Sequence, residues 1–244
     1  MNNSIEASTA LPHTDLIRDR TQGKLHTLIL YVIAIPSFLL AGLCFQWYAE
    51  TSKVALLLLG WVTFGMAFDF LGHIVGLHFS QHSAFLRWFA RINYSALCFG
   101  IPFTALAGTF VLAEIVTDGI SASLVNYYPV VLYSSLLFGS LFIFAHYRKV
   151  TINGAVEFVL DKSNHFTGLI FLTRRLLLAL SLIIGITVMV DGFGTEWSLW
   201  AFAFGLSFIA TVPLHIMHKQ IPSMLSELIT QVIAIYGTWA VFVS

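Results

Sequence analysis

The segment FDFLGHIVGLHFSQH, Phe68 to His82, places one acid and three histidines at the end of an apolar run long enough to cross a membrane. Asp69 and His73 are four residues apart, as are His78 and His82, so in a helix each pair shares a face. HIMH sets His215 and His218 three apart, again on one face. Two imidazoles at such spacing can hold one metal ion, and an open position on that ion would activate water. An acid deep in an apolar helix is costly unless it is paired or functional. Asp69 is therefore the candidate catalytic group. His73, His215, His218, His78 and His82 are the candidate ligands for zinc or iron.

Those residues need a bundle to position them. The chain has 244 residues, of which 58% are hydrophobic and 10% charged. Its mean hydropathy is +0.85. A soluble domain carries about 25% charged residues. The expected fold is an all-α integral membrane protein, a bundle of about seven transmembrane helices. A polar cytoplasmic tail (1–24) precedes a single polytopic domain (25–244). The expected spans run from His26 to Tyr48, Val54 to His78, Tyr94 to Val116, Tyr128 to His146, Leu176 to Val190, Trp197 to Met217 and Met224 to Val243. The fifth could extend back through GLIFL, Gly168 to Leu172. Pro36, Pro102 and Pro213 fall inside spans, where each removes a backbone donor. The segment AVEFVLDKSNHF between the fourth and fifth spans reads as a short interfacial helix. The polar start of the chain reads as lacking a cleaved signal peptide.

Charge orients the bundle. With the N-terminus inside, every Lys and Arg except Lys53 falls on the inner ends, while Glu50, Glu114, Asp118, Asp191 and Glu196 fall outside. The positive-inside rule therefore predicts a cytoplasmic N-terminus and an outer C-terminus, in the inner membrane if the cell is bacterial. Trp47, Tyr48, Tyr127, Tyr128, Trp197 and Trp200 mark the expected outer boundary. Glu227, near the start of the last span, is expected at the interface. His73, His78, His82, His146, His165, His215 and His218 all fall at or toward the inner face. Histidines at helix ends can simply sit among headgroups, so single ones carry less weight than the Asp69–His73 pair. Cys44 and Cys98 lie in apolar runs and suggest no disulfide framework. A formal net charge of zero speaks against a nucleic-acid partner, leaving the bilayer and an apolar small molecule.

HFSQH resembles the HxxxH box of membrane desaturases and hydroxylases, and HIMH is similar to the first part of their HxxHH boxes. No adjacent histidine pair occurs, and the eight-histidine set of those enzymes is incomplete, so one zinc fits more easily than two irons. Seven spans with an inner N-terminus and inner histidines are also similar in architecture to the adiponectin-receptor and hemolysin III group. Their SxxxH motif stands here as DFLGH, and their late HxxxH as HIMH on a different span.

Three functional readings follow. A metal-dependent membrane enzyme acting on a lipid or other apolar substrate ranks first. A transporter, channel or sensor using Asp69 and His73 as a proton or cation relay ranks second. A b-type cytochrome subunit with one inner haem on His73 and His146 or His215 ranks third. The last span has no lysine for a Schiff base, which speaks against covalent retinal.

Overall fold

The computed structural model describes residues 15–79, 83–152, 155–161, 163–216 and 220–244. The elements are α1 (Asp15–Thr51), α2 (Val54–His78), α3 (Ser83–Ile115), α4 (Ile120–Val125), α5 (Tyr128–Leu141) with a further 3-10 turn (Phe142–Phe144), β1 (Tyr147–Ile152), β2 (Ala155–Leu160), α6 (His165–Asp191), α7 (Ser198–Ile216) and α8 (Gln220–Phe242). Tyr31–Thr51, Val54–Gly76, Ala84–Ile115, His165–Asp191 and Leu225–Phe242 are five stretches long and apolar enough to cross a membrane. Two shorter apolar helices, Tyr128–Phe144 and Ser198–Leu214, accompany them. A chain this apolar must satisfy its own backbone donors and acceptors, because hydrocarbon offers none, and helices do so locally. Among the described residues the regular structure is helical apart from one hairpin, and the protein has the makeup of an integral membrane protein.

α3 is the hub, packed against α2, α4, α5, α6, α8 and β2. Small residues explain how so many helices reach it. Thr104, Ala105, Ala107 and Thr109 are fully buried and let neighbouring backbones approach closely. α7 supplies the opposite kind of residue. Trp200, Phe204 and Phe208 recur every four positions on one face, with ring centroids 5.2 and 5.0 Å apart. Their rings press on Gly237 of α8, Gly108 of α3 and Gly185 of α6, where added β-carbons would collide with them. The column fills the centre of the main apolar core together with Val111, Leu112, Ile184 and Val188. Trp200, expected at the outer boundary, is instead buried, and its Nε1 donates to the Ile233 carbonyl at 2.8 Å. A buried indole needs such an acceptor.

The segment expected as an interfacial helix is a strand. YRKVTI and AVEFVL pair antiparallel, from Tyr147 opposite Leu160 to Ile152 opposite Ala155. β-branched residues favour this pairing, and the intervening Asn-Gly dipeptide is the strongest short signal for a two-residue hairpin turn. Asn153 and Gly154 themselves lie outside the described residues. The hairpin covers the end of the α2–α3 pair: Phe158 packs with Leu86 and Ala90, flanked by Val75, Tyr94 and Tyr147. Tyr147 donates its hydroxyl to the Phe142 carbonyl at 2.7 Å. Burial and the neighbouring Tyr94 push its phenol well above the usual range. Arg148 and Lys149 are exposed on this hairpin end.

Several helices begin earlier than their apolar windows. α1 starts at Asp15, inside the polar tail expected over 1–24. α3 starts at Ser83, so Arg87 and Arg91 are helical. α6 runs from His165 through GLIFL, Arg174 and Arg175. Asn164 caps it, accepting from the Thr167 amide at 3.1 Å. Pro36, Pro102 and Pro213 lie within α1, α3 and α7. Cys44 is a buried free thiol. At the far end of the bundle Lys53 pairs with Glu114 at 3.2 Å.

Candidate functional site

A line of polar side chains crosses the apolar interior where α2, α3, α7 and α8 meet. Its first station is Asp69, nine residues before the end of α2, or about 14 Å along the axis at 1.5 Å per residue. The Asn93 amide of α3 donates to Asp69 Oδ1 at 2.5 Å. The stacked rings of Phe68 and Phe89, with centroids 4.3 Å apart, are carried by the same two helices beside this pair. Asn93 is buried, and its Oδ1 has no hydrogen-bond donor among the described residues.

The second station is Glu227 on α8. It lies near the start of the apolar stretch Leu225–Phe242 and is buried at 6% exposure. The reason is the helix start. α8 begins at Gln220 rather than near Met224, which carries Glu227 about two turns into the bundle. Its Oε1 lies toward Gly100 of α3, 3.7 Å from where a β-carbon would stand. The adjacent Leu228 packs against the cluster of Ile33, Ala34, Met66 and Phe70, whose α2 members flank Asp69 in sequence, which sets Glu227 near the depth of Asp69. Asp69 and the Arg174 guanidinium of α6 both act electrostatically on the Glu227 carboxyl, the first repelling and the second attracting it.

The third station lies one turn further along. Gln231 Nε2 donates to Thr104 Oγ1 at 2.6 Å, and the Thr104 hydroxyl donates to the Gly100 carbonyl at 3.0 Å. Gln231 is 1% exposed, and its Oε1 has no donor among the described residues. Beside it Thr230 meets Thr211 of α7 at 3.0 Å. Beyond this level the interior becomes apolar, with Ala234, Ile235 and the Trp200–Phe204–Phe208 column.

The sequence-derived ligands distribute as follows. His73 and His78 lie on the last turns of α2, and His215 lies near the end of α7. His82 and His218 lie outside the described residues. Thr211, one turn before His215, meets Thr230, so His215 stands near the depth of Glu227. The main neighbours of α2 are α1, α3, α8 and β2, and those of α7 are α6 and α8, so α8 stands between the two histidine-bearing helices. His146 and His165 are exposed at the hairpin end. Among the described residues no group of three His, Cys, Asp or Glu side chains is gathered as a metal site.

Sequence reasoning found Asp69 and missed Glu227, Gln231, Asn93 and Thr104 as its companions. One signal was present: Glu227 and Gln231 are four apart in an otherwise apolar helix, the same spacing that singled out Asp69 and His73. The chemistry on offer is that of oxygen ligands and exchangeable protons: two carboxylates, two amide oxygens and hydroxyls in a low-dielectric interior. Compared with known proteins, the sequence matches no family model and no curated protein.

Proposed function

We propose that this protein spans the membrane seven times, with its N-terminus in the cytoplasm, and moves protons or a small cation through paired intramembrane carboxylates, Asp69 and Glu227. The observation that carries this reading is the second acid. A buried carboxylate on one helix can be a structural hydrogen-bonding group. Two at one depth, on α2 and α8, with an arginine within electrostatic reach, form a set whose charge depends on what it binds.

The packing supports the seven-span arrangement. α5, the shorter helix, runs antiparallel to α3 from Phe110 against Tyr128 to Tyr94 against Phe142. That is sixteen residues of α3, about 24 Å, most of a hydrocarbon core of about 30 Å. α3 and α8 run parallel, Gly100 beside Glu227 and Thr104 beside Gln231. Parallel direction is what three intervening crossings, by α5, α6 and α7, require. A two-stranded hairpin leaves unpaired edges, so it belongs in water or headgroups rather than hydrocarbon. Its exposed Arg148 and Lys149 then favour the cytoplasmic side.

The test is flux. Purified protein in sealed vesicles, under an imposed pH gradient and potential, should dissipate the gradient. Asp69→Asn and Glu227→Gln should each abolish that dissipation while still inserting. Vesicles with wild-type protein as tight as empty ones to protons and to sodium would defeat the reading.

A metal-dependent enzyme is the second reading, favoured by His73 and His215 lying one turn toward the hairpin end from Asp69 and Thr211. It predicts roughly one zinc or iron per chain, lost in a His73→Ala, His215→Ala double variant. Elemental analysis with an optical spectrum tests both metal and haem.

A further inference from the structure

We infer that Glu227 and Gln231 of α8, set against Gly100 and Thr104 of α3, form a binding site for a dehydrated monovalent cation of sodium's class. This deepens the proposed ion-handling reading and rests on it for its role, though binding can be measured without it.

The geometry is two pairs of residues facing each other across α8 and α3. Glu227 and Gln231 are one turn apart on α8, and Gly100 and Thr104 are one turn apart on α3. Glu227 Oε1 faces the β-position of Gly100. Gln231 Nε2 reaches Thr104 Oγ1, and Thr104 donates to the Gly100 carbonyl. The side at Gly100 is open because Gly100 has no side chain. The amide nitrogen of Gln231 is used, which leaves Oε1 as a fully buried acceptor with no donor among the described residues. Such an oxygen carries a desolvation penalty until something positive or protic reaches it.

Oxygen ligands select hard cations. The charge count selects among them. In its ionised form Glu227 supplies one negative charge at the site, which burial and the Asp69 carboxylate oppose and the Arg174 guanidinium and a bound cation favour. A divalent ion in this low dielectric would be under-neutralised, whereas a monovalent ion matches the single local carboxylate. An amide oxygen is too weakly basic to hold a proton, so Gln231 Oε1 contributes to a metal cation more than to proton storage. The competing state is a protonated Glu227 that donates to that same oxygen.

Thermal unfolding of the detergent-purified full chain distinguishes the two. Sodium, potassium and choline chloride are compared at equal ionic strength, and direct binding of radioactive sodium is measured alongside. We expect a saturable rise of the midpoint in sodium over choline, absent in Glu227→Gln. Apparent affinity should weaken about tenfold in Gln231→Met, which keeps length and removes the acceptor. Direct binding to the wild type makes the result independent of whether either variant folds well. Equal midpoints in sodium and choline, with no sodium bound, would overturn the site. A midpoint that responds to pH alone would overturn it in favour of the protonated pair, and proton flux would still stand. Sodium binding in a protein that passes neither sodium nor protons would keep the site and sink the transport reading.

Discussion

Glu227 Oε1 of α8 stands 3.7 Å from the position a β-carbon would take at Gly100 of α3. The missing side chain is what leaves the buried carboxylate room. A methyl group there would sit in ordinary van der Waals range of Glu227 and of Val62. Gly100→Ala should therefore insert and conduct as wild type does, with some gain in helix propensity. Gly100→Leu should fill the space and abolish flux. Vesicle flux and the unfolding midpoint, measured on both variants, check this. Equal flux in Gly100→Leu and wild type would show that this space is not part of the path.

Asp69 and Asn93 form the first station of the polar line, and their substitutions should separate charge from support. Asp69→Asn preserves shape and avoids an unpaired charge, so the protein should fold and lose its flux. Asn93→Ala removes a donor from a partly buried carboxylate. The expected cost is about 1–3 kcal/mol of stability, seen as a lower unfolding midpoint. If Asp69→Asn matches wild type in every flux assay, the polar line has no transport role.

The apolar helices were legible because hydropathy and charge asymmetry depend only on composition along the chain. The polar stations were less so. Asp69 stood out because it lies mid-run. Glu227 and Asn93 were read as lying at or outside the membrane edge, since α3 and α8 begin several residues before their apolar windows. In α3, Arg87 and Arg91 interrupt the first turns, although the whole stretch Ala84–Ile115 is apolar enough to cross a membrane. Gln231 and Thr104 are neutral, and only their pairing across two helices marks them. The hairpin is ambiguous for another reason: AVEFVL alone suits a strand or a short helix, and only the Asn-Gly dipeptide before it decides between them.

The ring column of α7 gives a stability prediction with an internal control. Gly108 of α3 has the Phe204 ring against it, whereas Gly42 of α1 has nothing within 4 Å of an added β-carbon. Gly108→Leu should overpack the core and cost about 1–3 kcal/mol or more. Gly42→Ala should be neutral or slightly stabilising, as helix propensity alone dictates. Unfolding midpoints in detergent compare them directly. Similar midpoints would mean that the Phe204 ring has another place to go.

Asp161 links the hairpin to α6 and should report on pH. Ser163 bonds Asp161 Oδ1 through both its hydroxyl, at 2.7 Å, and its amide, at 3.1 Å. These bonds hold the Asp161 carboxyl below the usual carboxylate range, aided by Arg148. A group whose pKa falls on folding contributes stability above its unfolded pKa and loses it as pH drops through the folded value. The turn at Asp161–Asn164 should therefore loosen only in acid. Amide exchange at Ser163 should show the step, and Asp161→Asn should erase it. A pH-independent exchange rate in the wild type would count against this account.

The topology can be decided with two fusions. The parallel run of α3 and α8 means that the chain makes an odd number of crossings between them, α6 alone or α5, α6 and α7 together, so the fate of α5 and α7 is linked. Both cross, or neither does. The hairpin lies between α5 and α6, and its side of the membrane fixes α5. A reporter active only outside the cytoplasm should therefore be silent when placed after Thr151 and active after Ser244. With the N-terminus inside, silence at both sites would mean that α7 alone fails to cross, against the parallel packing, and activity at both would mean that neither shorter helix crosses, which would end the seven-span reading. Reversed activity would turn the bundle over. The carboxylates of Asp69 and Glu227 would then face the outer solution, and the exposed Arg148 and Lys149 would stand against the positive-inside rule.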